Sequence, residues 1–150
     1  HVSRAVLEEV RAVAKYNKCP YCSIIRMEGK SDRLAFDNKR AIAFAPYASR
    51  HPYELAIFPK RHVHNITELR DDELLGIART VKQALVRLKR LNAPYNMYLH
   101  NAPLGEELHF HMKINPRTSI FGGFELSTGT IINTIAPEDA AKFYRGEIDI

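Results

Sequence analysis

Leu108-His109-Phe110-His111-Met112-Lys113-Ile114 alternates apolar and polar side chains residue by residue. In a β-strand, successive side chains point to opposite faces. Phe110, Met112 and Ile114 would then face a core, and His109, His111 and Lys113 would face one site. Imidazole can ligate a metal, carry a proton or attack phosphorus. The bland counterpart is a surface strand with two solvated histidines, because alternation is the ordinary strand pattern. The other residues that such a site needs decide between them.

The length of 150 residues suits one domain with a real core, and 45% hydrophobic with 26% charged residues is ordinary globular composition. There is no apolar run of membrane-spanning length and no signal-peptide core, so the expected compartment is the cytoplasm. The net charge of +5 suits anionic ligands such as nucleotides or sugar phosphates. It also tolerates nucleic acid, which stays a minority reading without an RNA- or DNA-binding motif. The chain opens on His1 rather than methionine, as a fragment, a processed product or a sequence lacking its start would.

Val2, Val6, Val10 and Val13 at helical spacing predict a helix over residues 2–16, with Glu8, Glu9, Arg11 and Lys15 on its polar side. Segments 34–37 and 41–45 read as a hairpin and 53–58 as a further strand. The longest helix is predicted over 71–91, its N-terminal end marked by Asp71, Asp72 and Glu73. Its row of basic residues reads as a solvated face. Segment 95–101 is the next strand, with Asn96, Tyr98 and His100 on one face. Residues 119–128 read as a strand containing Gly122-Gly123, and Pro137 opens a last helix over 138–144. The order of helix, strands, long helix, strands and helix predicts an α+β fold, an antiparallel sheet covered by helices.

Cys19 and Cys22 are the chain's two cysteines, spaced C-x-x-C in a knuckle-like turn. A redox pair of that spacing should open a helix after a strand; here the pair follows a predicted helix. Two thiolates in need of two more ligands fit a zinc knuckle better. Spacing alone leaves His51, His62, His64, His100, His109 and His111 all open as partners. The alternative is two buried free cysteines acting as small apolar groups.

Cys19-Pro-Tyr-Cys22-Ser-Ile-Ile, Pro59-Lys-Arg-His62 and His109-Phe-His111 together resemble the histidine-triad superfamily of nucleotide hydrolases and transferases. Ala45-Pro-Tyr, Pro52-Tyr-Glu-Leu, Tyr95-Asn-Met-Tyr-Leu-His100-Asn-Ala-Pro103 and Phe121-Gly-Gly-Phe-Glu125-Leu-Ser-Thr-Gly129 narrow the resemblance to the galactose-1-phosphate uridylyltransferase branch, and to its C-terminal half. Each motif is weak alone, and their order is specific. The resemblance implies a short N-terminal helix or linker over 1–18 and a histidine-triad-like domain over 19–150. It implies a zinc site of Cys19, Cys22, His62 and His109, with His100 in reserve. It implies His111 as the nucleophile that holds a nucleotidyl group, and Gly122, Gly123, Phe124 and Glu125 as the sugar-binding segment. Lys113 is no part of that pattern, but as a cation and donor it suits a phosphate. The implied activity, in galactose metabolism, is transfer of a nucleoside monophosphate between a nucleotide sugar and a sugar phosphate or phosphate.

Two positions depart from that pattern. Lys113 stands where triad hydrolases carry histidine and the transferases' catalytic halves carry glutamine. Phe110 replaces the proline of those halves. In a two-half transferase the C-terminal half supplies metal stability, an interface and sugar contacts, and the other half supplies the nucleophile. A homodimer, or pairing with a second half, is therefore expected. The competing expectation is a non-catalytic zinc-stabilised module that binds nucleotide, RNA or a protein partner, or a nucleotide hydrolase of the triad type.

Overall fold

The computed structural model describes residues 4–16 and 18–149. Five strands form one antiparallel sheet: β1 (Leu34–Asp37), β2 (Ala41–Phe44), β3 (Leu55–Pro59), β4 (Tyr95–His100) and β5 (His111–Pro116), in spatial order β1-β2-β3-β5-β4. The helices are α1 (Arg4–Val13), α2 (Pro20–Glu28), α3 (Asp71–Leu88), α4 (Gly123–Thr128) and α5 (Pro137–Arg145).

The alternation in each strand assigns the two faces. Phe110, Met112 and Ile114 join Leu55 and Ile57 of β3 in the larger core, where Ile77, Ala84 and Leu88 of α3 and Phe143 and Tyr144 of α5 pack on them. The intervening residues point the other way. Ile42, Phe44, Ala56 and Phe58 meet Ile25 of α2 in a second cluster, and Val6, Val10 and Val13 of α1 close on Leu108 in a third. The sheet is thus covered on both faces, which is why β2 and β3 are buried without a break. β4 is an edge strand, and only its last residue is buried.

The long helix is fixed at its first turn. Glu73 accepts the backbone N–H of Arg70 at 2.9 Å and grips the Arg61 guanidinium at 2.8 and 2.7 Å. That fork ties the turn after β3, which carries His62, to the start of α3. Further along, Gly76 lets the β1–β2 turn come close. A β-carbon there would sit 2.8 Å from Cβ of Arg40, and Asn38 donates to the Gly76 carbonyl at 3.1 Å and to the Thr80 hydroxyl at 2.9 Å.

Most predicted elements form within a few residues of their expected limits. The helix expected over 2–16 is α1, residues 1–3 lying outside the described residues. Two expectations are corrected. Segment 119–128 is not a strand. Residues 123–128 form α4, because the Glu125 carboxylate bonds back to the N–H of Gly122 at 2.9 Å and Gly129, at φ +70°, ends the turn. The Cys19-Pro-Tyr-Cys22 turn does open a helix, with Cys19 at the N-cap of α2 and Pro20 in its first turn. It follows α1 rather than a strand.

Gly76→Ala should destabilise the protein although alanine is the better helix former. Pushing the hairpin away outweighs the propensity gain, for a net loss of about 1 kcal/mol in urea unfolding. The Arg61 fork and the Arg70 bond hold the Glu73 carboxyl down to about 2 from an ordinary 4.5. Its contribution is complete above the ordinary value and fades as pH falls toward about 2. Glu73→Gln should therefore narrow the stability difference between pH 6 and pH 3, and an unchanged difference would count against the fork.

Candidate functional site

The turn at the start of α2, the turn after β3 and the lead-in to β5 bring Cys19, Cys22, His62 and His109 together, with their donor atoms within 4.8 Å of one another. Cys22 Sγ lies 3.4 Å from His62 Nδ1 and 3.6 Å from His109 Nδ1. A tetrahedral zinc with bonds of about 2.3 Å to sulfur and about 2.0 Å to nitrogen sets sulfur–nitrogen edges of about 3.5 Å. The arrangement fits that ion. His109 Nε2–H donates to the Pro59 carbonyl at 2.9 Å, which leaves the Nδ1 lone pair facing the thiols. Burial pushes His109 down to about 4, and it also lowers His62, which has His64 nearby. Both rings are neutral near pH 7. Burial and the neighbouring Cys19 push the Cys22 thiol up to about 11, so a bound cation is what would let Cys22 ionise.

A second cluster lies beside the first on the same face. Strands β4 and β5 pair His100 with His111, Tyr98 with Lys113 and Asn96 with Asn115. α1 lays Glu9 over the first two pairs. Its carboxylate meets His100 Nδ1 at 2.7 Å, the Lys113 ammonium at 2.9 Å and His111 Nε2 at 3.4 Å. Burial works against the charge on Glu9, but the bond from His100, the nearby His111 ring and the Lys113 ammonium prevail and hold it well below the usual carboxylate range. His111 is 0% exposed and stacked between Phe58 and His100, with ring centroids 4.7 and 4.4 Å away. Its Nδ1–H donates to the His109 carbonyl at 2.9 Å, and Nε2 makes no hydrogen bond. Burial lowers its pKa, opposed by Glu9, so the ring is neutral with its lone pair on Nε2.

His109, His111 and Lys113 thus share one face, but two clusters divide them. His100, a reserve ligand in the sequence, sits with Glu9 rather than with the thiols. Glu9, His100 and His111 are themselves spaced closely enough to hold a metal ion, as are His62, His64 and Glu107. His51 and His64, also open as metal partners in the sequence, are both half-buried, and His64 bonds Glu107 at 3.1 Å. Among the described residues, Gly122, Gly123, Phe124 and Glu125 share no hydrogen bond or ring contact with either cluster, and Glu125 spends its carboxylate on Gly122. Glu9 is the residue that the sequence reading missed. It was placed on the polar side of its helix, yet it stands three residues after Val6 and four before Val13, inside the apolar stripe.

Residues 13–141 match the family model described as galactose-1-phosphate uridyl transferase, C-terminal domain. The galactose-1-phosphate uridylyltransferase of Thermotoga maritima is 32% identical over 142 residues, covering 85% of this chain and 44% of that protein. The ADP-glucose phosphorylase of Arabidopsis thaliana is 34% identical over 139 residues, covering 85% of this chain and 38% of the relative. A solved uridylyltransferase superposes with a TM-score of 0.86 at 31% identity, over 97% of this chain and 51% of its own. A zinc-bound histidine-triad protein from Mycobacterium smegmatis shares the fold, with a TM-score of 0.62 at 16% identity over 86% of this chain and 91% of its own. The chain spans less than half the length of the two named relatives and about half of the solved transferase. Among the described residues, no helix is long and apolar enough to cross a membrane.

Glu9→Ala strips the partner from His100 and Lys113 together. It should cost about 2 kcal/mol in urea unfolding and raise amide exchange in α1 before that in β5. Unchanged exchange in α1 would show that the valine contacts alone hold the helix.

Proposed function

This chain belongs to the family of the galactose-1-phosphate uridyl transferase C-terminal domain, and we propose that it is one half of a nucleotidyltransferase. The enzyme would move a nucleoside monophosphate between a nucleotide sugar and a sugar phosphate or phosphate. The observation that carries transfer chemistry is the state of His111: neutral, Nδ1–H committed to the His109 carbonyl, and Nε2 free. An imidazole in that form can attack the α-phosphorus, forming an N–P bond as the sugar 1-phosphate leaves. A phosphate oxygen of the acceptor then breaks that bond. Attack requires α1 to withdraw, because Glu9 faces Nε2 and no solvent reaches the ring.

That closure favours a second reading. The chain would be the supporting half, and another half would bring the nucleophile. Zinc on Cys19, Cys22, His62 and His109 would cross-link α2 to the sheet and hold the strand that aims His111. Gly122, Gly123, Phe124 and Glu125 would contact the sugar once Glu125 turned outward, and Lys113 would meet phosphate once freed from Glu9. The exposed edge of β4, with Tyr95, Met97 and Leu99, and an apolar cleft along α3 lined by Leu74, Val81 and Val86 suit a second half or a second copy.

Incubation with a labelled nucleoside diphosphate sugar separates the two. A His111 nucleophile gives an acid-labile nucleotidyl–protein adduct that is absent from His111→Asn and more abundant in Glu9→Gln. If neither the native chain nor Glu9→Gln forms the adduct, the supporting role stands. Purified protein should contain one zinc per chain. Removing it should lower the melting temperature by about 10 °C, as expected for an ion bound at about a thousand times its dissociation constant.

A further inference from the structure

The two imidazoles of the thiol cluster use their far nitrogens differently. His109 spends its Nε2–H on the Pro59 carbonyl at 2.9 Å. His62 turns Nδ1 to Cys22 Sγ at 3.4 Å, and its Nε2 points away, 3.5 Å from Oε2 of Glu107. The other carboxylate oxygen of Glu107 meets His64 Nε2 at 3.1 Å. One carboxylate thus sits between two rings, and the inner ring is one of the four donors.

The backbone puts Glu107 there. The exit from β3 and the lead-in to β5 run side by side. Ala102 N–H donates to the His64 carbonyl at 2.8 Å, and Phe110 N–H donates to the Val63 carbonyl at 2.7 Å. Leu108 is buried against the valines of α1. These anchors hold both ends of the short segment, and Glu107, next to Leu108, reaches across to His62. His64 is tied in turn, because the Glu68 carboxylate accepts its backbone N–H at 3.3 Å. The Glu107 side chain is itself 65% exposed, so the fold does not need it for packing.

A neutral imidazole carries its proton on either nitrogen. Zinc on Nδ1 demands the form with the proton on Nε2. An acceptor at Nε2 selects that form, and an anionic one makes the ring a better donor to the metal. At 3.5 Å the contact is looser than a hydrogen bond. A cation on Nδ1 would polarise the Nε2–H and draw it onto the carboxylate. We infer that Glu107 is a positioning residue of the zinc site: it holds His62 in the tautomer and aim that the metal requires, and His64 holds Glu107. The inference rests on the zinc reading of the four donors and extends it to two residues that are not ligands.

The test is the zinc affinity of the full chain, read by competition with a chromophoric chelator. Glu107→Ala should weaken zinc about tenfold, the low end for an outer partner of a metal-bound histidine, because the carboxylate is exposed. Glu107→Gln keeps an acceptor and should recover part of that loss. Glu106→Ala removes the same charge from the same loop and should stay within about twofold of the native chain. Without metal, Glu107→Ala should melt within about 2 °C of the native chain, which a merely structural contact would not allow. In the zinc-loaded native chain, long-range ¹H–¹⁵N spectra should show His62 bound through Nδ1 and protonated on Nε2, with that proton exchanging faster in Glu107→Ala. The inference is overturned if Glu107→Ala holds zinc as tightly as the native chain, if Glu106→Ala loses as much, or if zinc sits on Nε2 of His62. A second zinc that His64→Ala abolishes would also overturn it, by making His64 and Glu107 ligands of their own site. A native chain that takes up no zinc fails at the earlier step, the four-donor reading, and is told apart from these outcomes by the native titration alone.

Discussion

Two imidazoles, one just before a buried strand and one at its first residue, need partners for their ring nitrogens. Both rings are 0% exposed, and an unmatched polar atom at that depth is expensive. The chain's answer organises much of the molecule. His109 turns one nitrogen to the Pro59 carbonyl at the end of β3 and the other toward the thiols. His111 turns one nitrogen to the His109 carbonyl and leaves the other facing Glu9. The first choice ties the α2 turn to the sheet, and the second calls α1 down onto it.

The opposite face meets a simpler demand. There the strands offer small side chains, Ala41, Ala43 and Ala45, where α3 comes close, and large ones, Phe110 and Ile114, where it stands away. Gly76 and the Asn38 contacts set how near the β1–β2 turn lies to the helix, and the Glu73 fork sets where the helix begins. Because that fork grips Arg61, next to His62, the apolar packing also fixes one side of the donor cluster. Core and site are joined through a two-residue segment of chain.

The fold was largely legible because its strands alternate and its helices carry caps and stripes that act locally. The split of His109 from His111 was not. Alternation places them on one face, but which neighbour each ring finds depends on β3, α1 and α2 converging from distant parts of the chain. Glu9 was legible in principle as an acid inside an apolar stripe; its neighbours on either side, Glu8 and Val10, masked it. The strand expected over 119–128 failed for a local reason. Glu125 reaches back to Gly122 and starts a helical turn inside the segment expected to be extended.

The open edge of β4 also bears on how such a chain lives at all. Tyr95, Met97 and Leu99 beside unpaired backbone groups form a template that accepts any extended segment, wanted or not. Two halves joined in one polypeptide would meet at an effective concentration in the millimolar range, about a thousandfold above that of separate chains at micromolar levels. Covalent linkage would then act as a kinetic safeguard, covering the edge before stray strands could compete for it.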